Sequence, residues 1–170
     1  MAYVETNFPA PAYMNLNVWI NLNAAVGPRD PNHTNDVVTV QGFLNGIFAN
    51  DPAYPNGVPV TGRFDSLTGR AIRDFQRRWR RMARAATGVR DGAIDGRVSP
   101  ARGLGYQRGS ALWTYTIIHL NIEYREYDPQ GYADLLALNG YTPGGALAGP
   151  GSGADGVSSS PAAAAATAGH

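Results

Sequence analysis

With 170 residues the chain is long enough for one ordinary domain and too short for two. Apolar residues make up 44% and charged ones 16%, and 21 Gly and 12 Pro interrupt any long regular element, which excludes a coiled coil and a charge-rich disordered chain. The formal net charge of +1 gives no global pull toward nucleic acid, all 14 basic residues are Arg, and the absence of Cys excludes disulfides and thiolate chemistry.

Residues 1–12, with Pro9 and Pro11, read as an irregular arm. They lack the basic start and apolar run of a secretory signal, and no stretch of the chain reaches the ~20 apolar residues of a membrane span. From Tyr13 to Asn23 the pattern has period two. Met14, Leu16, Val18, Ile20 and Leu22 point one way, and Asn15, Asn17, Asn21 and Asn23 the other, which predicts a strand. Gly27, Pro28 and Pro31 mark a loop over 24–34. Thr34-Asn35-Asp36 then caps a helix to about Phe48, with Val37, Val40, Leu44, Ile47 and Phe48 at helical spacing. Residues 49–63 are rich in turn formers. Asp65-Ser66 opens a second helix to about Ala86, with Leu67, Ala71, Ile72, Phe75, Trp79 and Met82 on its buried side and Gly88 as its stop.

Residues 91–112 read as loop, with a short helical turn after Ser99-Pro100. From Trp113 to Tyr127 alternation returns: Ile118, Leu120, Ile122 and Tyr124 against His119, Asn121, Glu123 and Arg125, predicting a second strand. The two strands are expected to pair with each other, antiparallel. Such an isolated ribbon is marginal in water, so it must lie on the helices or be extended by another subunit through its edges. Asp128-Pro129 starts a last helix with Tyr132, Leu135, Leu136 and Leu138 on its apolar face and Gly140 at its end. From Thr142 the Gly, Ala, Ser and Pro residues predict a flexible tail. The expected architecture is α+β and mainly helical. It comprises an arm and strand over 1–34, a compact module over 35–100, a strand and helix over 101–140 that complete the domain, and a tail over 141–170.

Three blocks within the module carry a resemblance. Asn35-Asp36-Val37-Val38-Thr39-Val40-Gln41-Gly42-Phe43-Leu44-Asn45 is similar to a pattern D-V-x-x-[LV]-Q-x-x-L-N. The run Val60-Thr61-Gly62-Arg63-Phe64 through Thr68, Ala71, Ile72, Phe75 and Gln76 is similar to D-G-x-[FY]-G-x-x-T-x-x-A-[VI]-x-x-F-Q. Gly92-Ala93-Ile94-Asp95-Gly96-Arg97-Val98-Ser99-Pro100 is similar to a closing G-x-x-D-G-x-[VI]-x-P. In this order the blocks resemble the peptidoglycan-binding domain family, a small three-helix module, over about 65 of the 170 residues. The chain departs from the pattern at Thr61 and Asp65, where the family has Asp and Gly, in a longer loop from Ala49 to Pro59, and in an insertion from Arg77 to Arg90. Val37, Val40, Leu44, Phe64, Ala71, Ile72 and Phe75 are expected to form the small core, and Gln41, Thr68 and Gln76 to satisfy loop backbone groups.

The resemblance implies a non-catalytic module that docks onto peptidoglycan or another wall glycan, in a shallow groove between the first two helices, at the cell envelope. Arg70, Arg73, Arg77, Arg80, Arg81 and Arg84 form one broad stripe on the second helix, which also carries Arg78; guanidinium forks suit stem-peptide carboxylates and wall phosphates. Arg70, Arg73 and Arg77, with Trp79 and Tyr54 as sugar-stacking aromatics, are the candidate ligand residues. Trp19 and Trp113 are expected to be buried, and Tyr106 is a further aromatic available for stacking. An alternative use of the same fold is as a structural subunit of a phage virion or contractile injection particle, self-assembling through strand edges. No enzyme is expected. Only His33, His119 and His170 are present, no H-E-x-x-H or G-x-S-x-G occurs, and a strand would hold His119 and Glu123 ~13 Å apart, too far for one metal. No cofactor or metal is implied, and nucleic acid is not the expected partner.

Overall fold

The computed structural model describes residues 2–6, 18–87, 93–101 and 115–142, with backbone alone over 83–87. In chain order the elements are β1 (Tyr3–Thr6), β2 (Val18–Asn21), α1 (Thr34–Ile47), α2 (Ser66–Thr87), α3 (Thr116–Tyr127) and α4 (Pro129–Leu138). The class is α+β: among the described residues there are four helices and one two-stranded antiparallel sheet.

Helix α1 packs against α2, α3 and α4, and its buried residues, Asp36, Thr39 and Gln41 among them, lie around most of its circumference. Val37, Val40, Phe43, Leu44 and Ile47 are all buried. Phe43 meets the rings of Tyr124 (6.0 Å, 79°) and Tyr132 (6.3 Å, 35°) from α3 and α4. The close approach of α1 to α3 requires Gly46, where a Cβ would collide with the Tyr124 ring. On the other side Ala71, Ile72 and Phe75 of α2 join Val40 and Leu44, and Phe64 packs against the same core. The three sequence blocks therefore meet in one hydrophobic centre.

Two glutamines each hold a glycine-centred turn. Gln41 Oε1 accepts from the N–H groups of Thr61 (2.8 Å) and Gly62 (2.9 Å), while its Nε2 donates to the Arg63 carbonyl and to the hydroxyls of Thr61 and Thr68. Gln76 Oε1 accepts from Gly96 N–H (3.0 Å), and its Nε2 donates to Asp95, the Arg97 carbonyl and the Thr116 hydroxyl. Gly62 and Gly96 have φ of +71° and +73°, a left-handed conformation that costs a side chain dearly. A side-chain amide has both an acceptor and a donor end, which lets it close such a turn from inside the core. The second turn also bridges back to the loop after β2, through paired hydrogen bonds between Val26 and Val98.

Helix starts follow local chemistry. Asp65 Oδ1 accepts from Thr68 N–H and Oγ1, both 2.7 Å, capping α2 as expected. Asp128 caps α4 by accepting from Gly131 N–H, with Pro129 in the first turn. For α1 the cap differs. The helix already includes Thr34, its N-cap is His33 without a side-chain bond, and Asp36 is buried in the first turn, accepting from Asn23 and Ala24 N–H.

Two expectations fail. Residues 116–127 are helical, not extended. Residues 117–121 are buried without a break, including His119 and Asn121, so α3 has no wet face in its first half and shows no 3.6-residue stripe. The alternation of polar and apolar types was real, but the polar members are internal. The partner of β2 is accordingly not 113–127 but the N-terminal arm, with Tyr3↔Asn21, Val4↔Ile20, Glu5↔Trp19 and Thr6↔Val18 in register. On its other side β2 meets α3, where the Asn121 amide takes the place of a neighbouring strand. Its Oδ1 accepts from Ile20 N–H (2.8 Å) and its Nδ2 donates to the Ile20 carbonyl (2.9 Å). The supposed insertion after Arg77 continues α2 to Thr87. The first part of the predicted strand (13–17), the turn after Pro100, Tyr106, Trp113 and the tail beyond 142 lie outside the described residues.

Candidate functional site

The longest helix carries the densest charge of the molecule. Its inner face is Ala71, Ile72, Phe75 and Gln76, all buried. Its outer face is a series of guanidinium groups at spacings of three and four, which places them side by side along the helix. Their neutralisation is uneven. Asp74 sits between two of them, 3.6 Å from Arg70 Nε and 2.7 Å from Arg77 Nη1. Arg78 reaches Glu123 of α3 at 2.9 Å. Among the described residues Arg73, Arg80 and Arg81 form no ion pair.

Beside this face the chain leaving α1 makes three successive turns. Asp51 N–H donates to the Phe48 carbonyl, Tyr54 N–H to that of Asp51, and Gly57 N–H to that of Tyr54, so the lengthened loop coils tightly. It lays Phe48 and Tyr54 against each other (4.6 Å, 24°) and brings the Tyr54 hydroxyl to Asp74 Oδ2 at 2.7 Å. An open cleft of about 210 Å³ results. The loop supplies Phe48, Asp51, Ala53 and Tyr54, and α2 supplies Asp74, Arg77, Arg78 and Arg81. The cleft is not the groove between the first two helices that the family resemblance implies. It lies between α2 and the loop that follows α1.

Electrostatics fix the resting state of these groups. Burial alone would raise the Asp74 carboxyl, but hydrogen bonds from Tyr54 and Arg77 and the charges of Arg77 and Arg70 hold it below the usual carboxylate range. Burial, and then the bond to Asp74, push the Tyr54 phenol up, so it stays protonated and donates. Glu123 is raised by burial, partly offset by Arg78. Burial takes His119 down to about 3, so its ring is neutral at ordinary pH.

The predicted ligand residues separate into two groups. Arg70 and Arg77 are exposed and lie at Asp74, with the Arg70 guanidinium 5.4 Å from the Tyr54 ring centre. Arg77 lines the cleft; Arg73 instead lies over the Gly96 turn, where a Cβ would meet its Nη1 at 2.8 Å. The two aromatics are corrections. Tyr54 is only 3% exposed and its ring is stacked on Phe48. Trp79 is stacked on His119 at 3.7 Å and 23°. Each has a ring face committed to the interior, so neither is an open platform for a sugar. Arg78, Arg81 and Asp51 were not picked out as site residues. The signal that points to them is the i, i+4 spacing of Arg77 and Arg81 beside a loop opened by Asp51-Pro52. The α3 helix also revises the His119–Glu123 relation: i, i+4 on a helix brings the Cβ atoms to about 5–6 Å rather than ~13 Å. Among the described residues, however, no three His, Asp or Glu gather as a metal-holding set. No helix among them is long and apolar enough to cross a membrane.

Comparison with family models, with curated proteins and with solved structures finds no match to this chain.

Proposed function

We propose that the chain is a non-catalytic peptidoglycan-binding protein that docks onto the cell wall through the outer face of α2. One observation carries the reading: the outer face of α2 carries a run of guanidinium groups, of which Arg73, Arg80 and Arg81 form no ion pair among the described residues, beside a cleft lined by Phe48, Ala53 and Tyr54. Arg forks bind carboxylates in pairs of parallel hydrogen bonds, and wall peptides are rich in carboxylates. The ordering of the three sequence blocks around one core supports the same reading. The full chain is expected to co-sediment with purified sacculi at low salt and to be released as salt screens the Arg contacts. A chain that stays in the supernatant at every salt concentration sinks the proposal.

A second reading has an observation of its own. Among the described residues the sheet has only two strands, and no strand pairs with the outer side of β1. Such an edge is a template for another chain, which suits a subunit of a phage or injection particle. This reading expects a stable ring or polymer at micromolar concentration and no affinity for sacculi; a monomer in analytical ultracentrifugation contradicts it.

A further inference from the structure

The cleft beside α2 has a charge balance that selects its ligand. Arg77, Arg78 and Arg81 line it together with Asp74 of the same helix and Asp51 of the loop, so the lining has one net positive charge. Arg77 is already held by Asp74 and Arg78 by Glu123. Arg81 is exposed, forms no ion pair among the described residues, and lies one helical turn beyond Arg77 on the same face. Among the described residues it is therefore the guanidinium group of the cleft with no carboxylate on its fork. The two carboxylates oppose a dianion such as a phosphate monoester or a polyphosphate, and admit a single negative charge placed at Arg81. The rest of the lining is Phe48, Ala53 and Tyr54, an apolar floor. At about 210 Å³ the cleft is below the roughly 300–1,000 Å³ of a drug-sized site and has room for one or two small residues.

We infer that this cleft is a subsite for the free carboxyl terminus of a short peptide ending in small apolar residues, with the carboxylate on Arg81 and the methyl groups on the Phe48–Ala53–Tyr54 floor. This rests on the wall-binding reading and names its ligand as the end of a stem peptide rather than the glycan strand or a wall phosphate. Selection would come from charge count as well as shape: removing the carboxylate leaves Arg81 unpaired, and adding a second charge sets it against Asp51 and Asp74.

The test is a titration of the full-length protein, observed through its arginine side-chain and backbone amide NMR signals. The probes are N-acetyl-D-alanyl-D-alanine, its C-terminal amide, the L,L isomer and inorganic phosphate. The D,D acid is expected to bind with a dissociation constant on the order of 1 mM, as suits a ligand of that size, and to shift Arg81 and Ala53. The amide is expected to bind roughly ten- to a hundredfold more weakly. Arg81→Ala should cause the same loss with the acid, Arg81→Lys should restore part of it, and Arg80→Ala, outside the cleft, should change nothing. Equal binding of acid and amide, tighter binding of phosphate, preference for the L,L isomer, or indifference to Arg81→Ala each overturns the inference. Sacculus binding that survives Arg81→Ala overturns it while leaving the wall reading intact. Binding of the D,D acid without any affinity for sacculi supports the subsite and overturns the wall reading.

Discussion

The amide side chains inside the molecule and the guanidinium groups on the outer face of α2 are treated in opposite ways. Inside, Gln41, Gln76 and Asn121 have both ends of their amides used. Asn21 is likewise saturated by Tyr3, Glu5 and the backbone of Leu22 and Ala101. Outside, a run of guanidinium groups shares a few carboxylates, and Arg81 has none among the described residues. A buried polar group left unpaired is costly, whereas an exposed one is merely hydrated. The first set is therefore explained by folding. The second is not, and what folding does not explain is available to a ligand. The contrast predicts that interior substitutions change stability and exterior ones change binding.

The largest expected effect is on stability against pH, through the interior. His119 titrates at about 3 in the folded chain and near 6.5 when unfolded. A base whose folded value is depressed contributes stability that is complete above 6.5 and is lost as pH falls toward 3. Glu123, raised by burial, acts in the opposite sense, because its ionisation with rising pH costs stability above its unfolded value. The net loss from pH 7 to pH 3.5 should be several kcal/mol, up to roughly 4. Urea denaturation across that range should show it, and His119→Phe should flatten the slope. A slope unchanged by that substitution would mean that His119 is not the buried neutral base described here.

Next comes Gln41→Ala. It removes the acceptor of two turn N–H groups and the donor to the Arg63 carbonyl, and should cost about 2–4 kcal/mol by urea denaturation. Asn121→Ala strips the edge of β2 and the hydroxyl partner of Tyr132, with an expected loss of about 2–3 kcal/mol. A loss under ~1 kcal/mol for either would place that amide outside the load of the fold.

These interior amides also show how far the sequence could be read. Gln41 and Gln76 satisfy turn backbone groups, as their places in the matched blocks imply, whereas the Thr68 hydroxyl bonds only side chains, donating to Asp65 Oδ1 and accepting from Gln41 Nε2. Helices α2 and α4 followed from caps and 3.6-residue spacing, and α1 from its spacing alone. Helix α3 did not, because His119 and Asn121 are polar by type and buried in fact, so their alternation with Ile118 and Leu120 mimicked a strand. The pairing of β1 with β2 was invisible for the same reason: with 113–127 taken as a strand, the arm had no role. At the site, Arg77 was legible as part of a stripe. The loss of Tyr54 and Trp79 as platforms was not, since it depends on Phe48 and His119 arriving from other elements.

The smallest stability effects belong to the outer face. Arg77→Ala removes an exposed ion pair with Asp74 and should cost under ~1 kcal/mol, and Arg81→Ala should stay within about 0.5 kcal/mol. Both are checked by the shift in Tm. A larger loss would mean that the stripe serves the fold and would erase the contrast.

The most direct test of the account combines both sides of the comparison in one protein. The double variant Arg77→Ala plus Arg81→Ala is assayed for co-sedimentation with purified sacculi alongside its urea denaturation curve. The account predicts a folded chain of nearly unchanged stability that no longer pellets. A variant that pellets as well as the parent chain contradicts it.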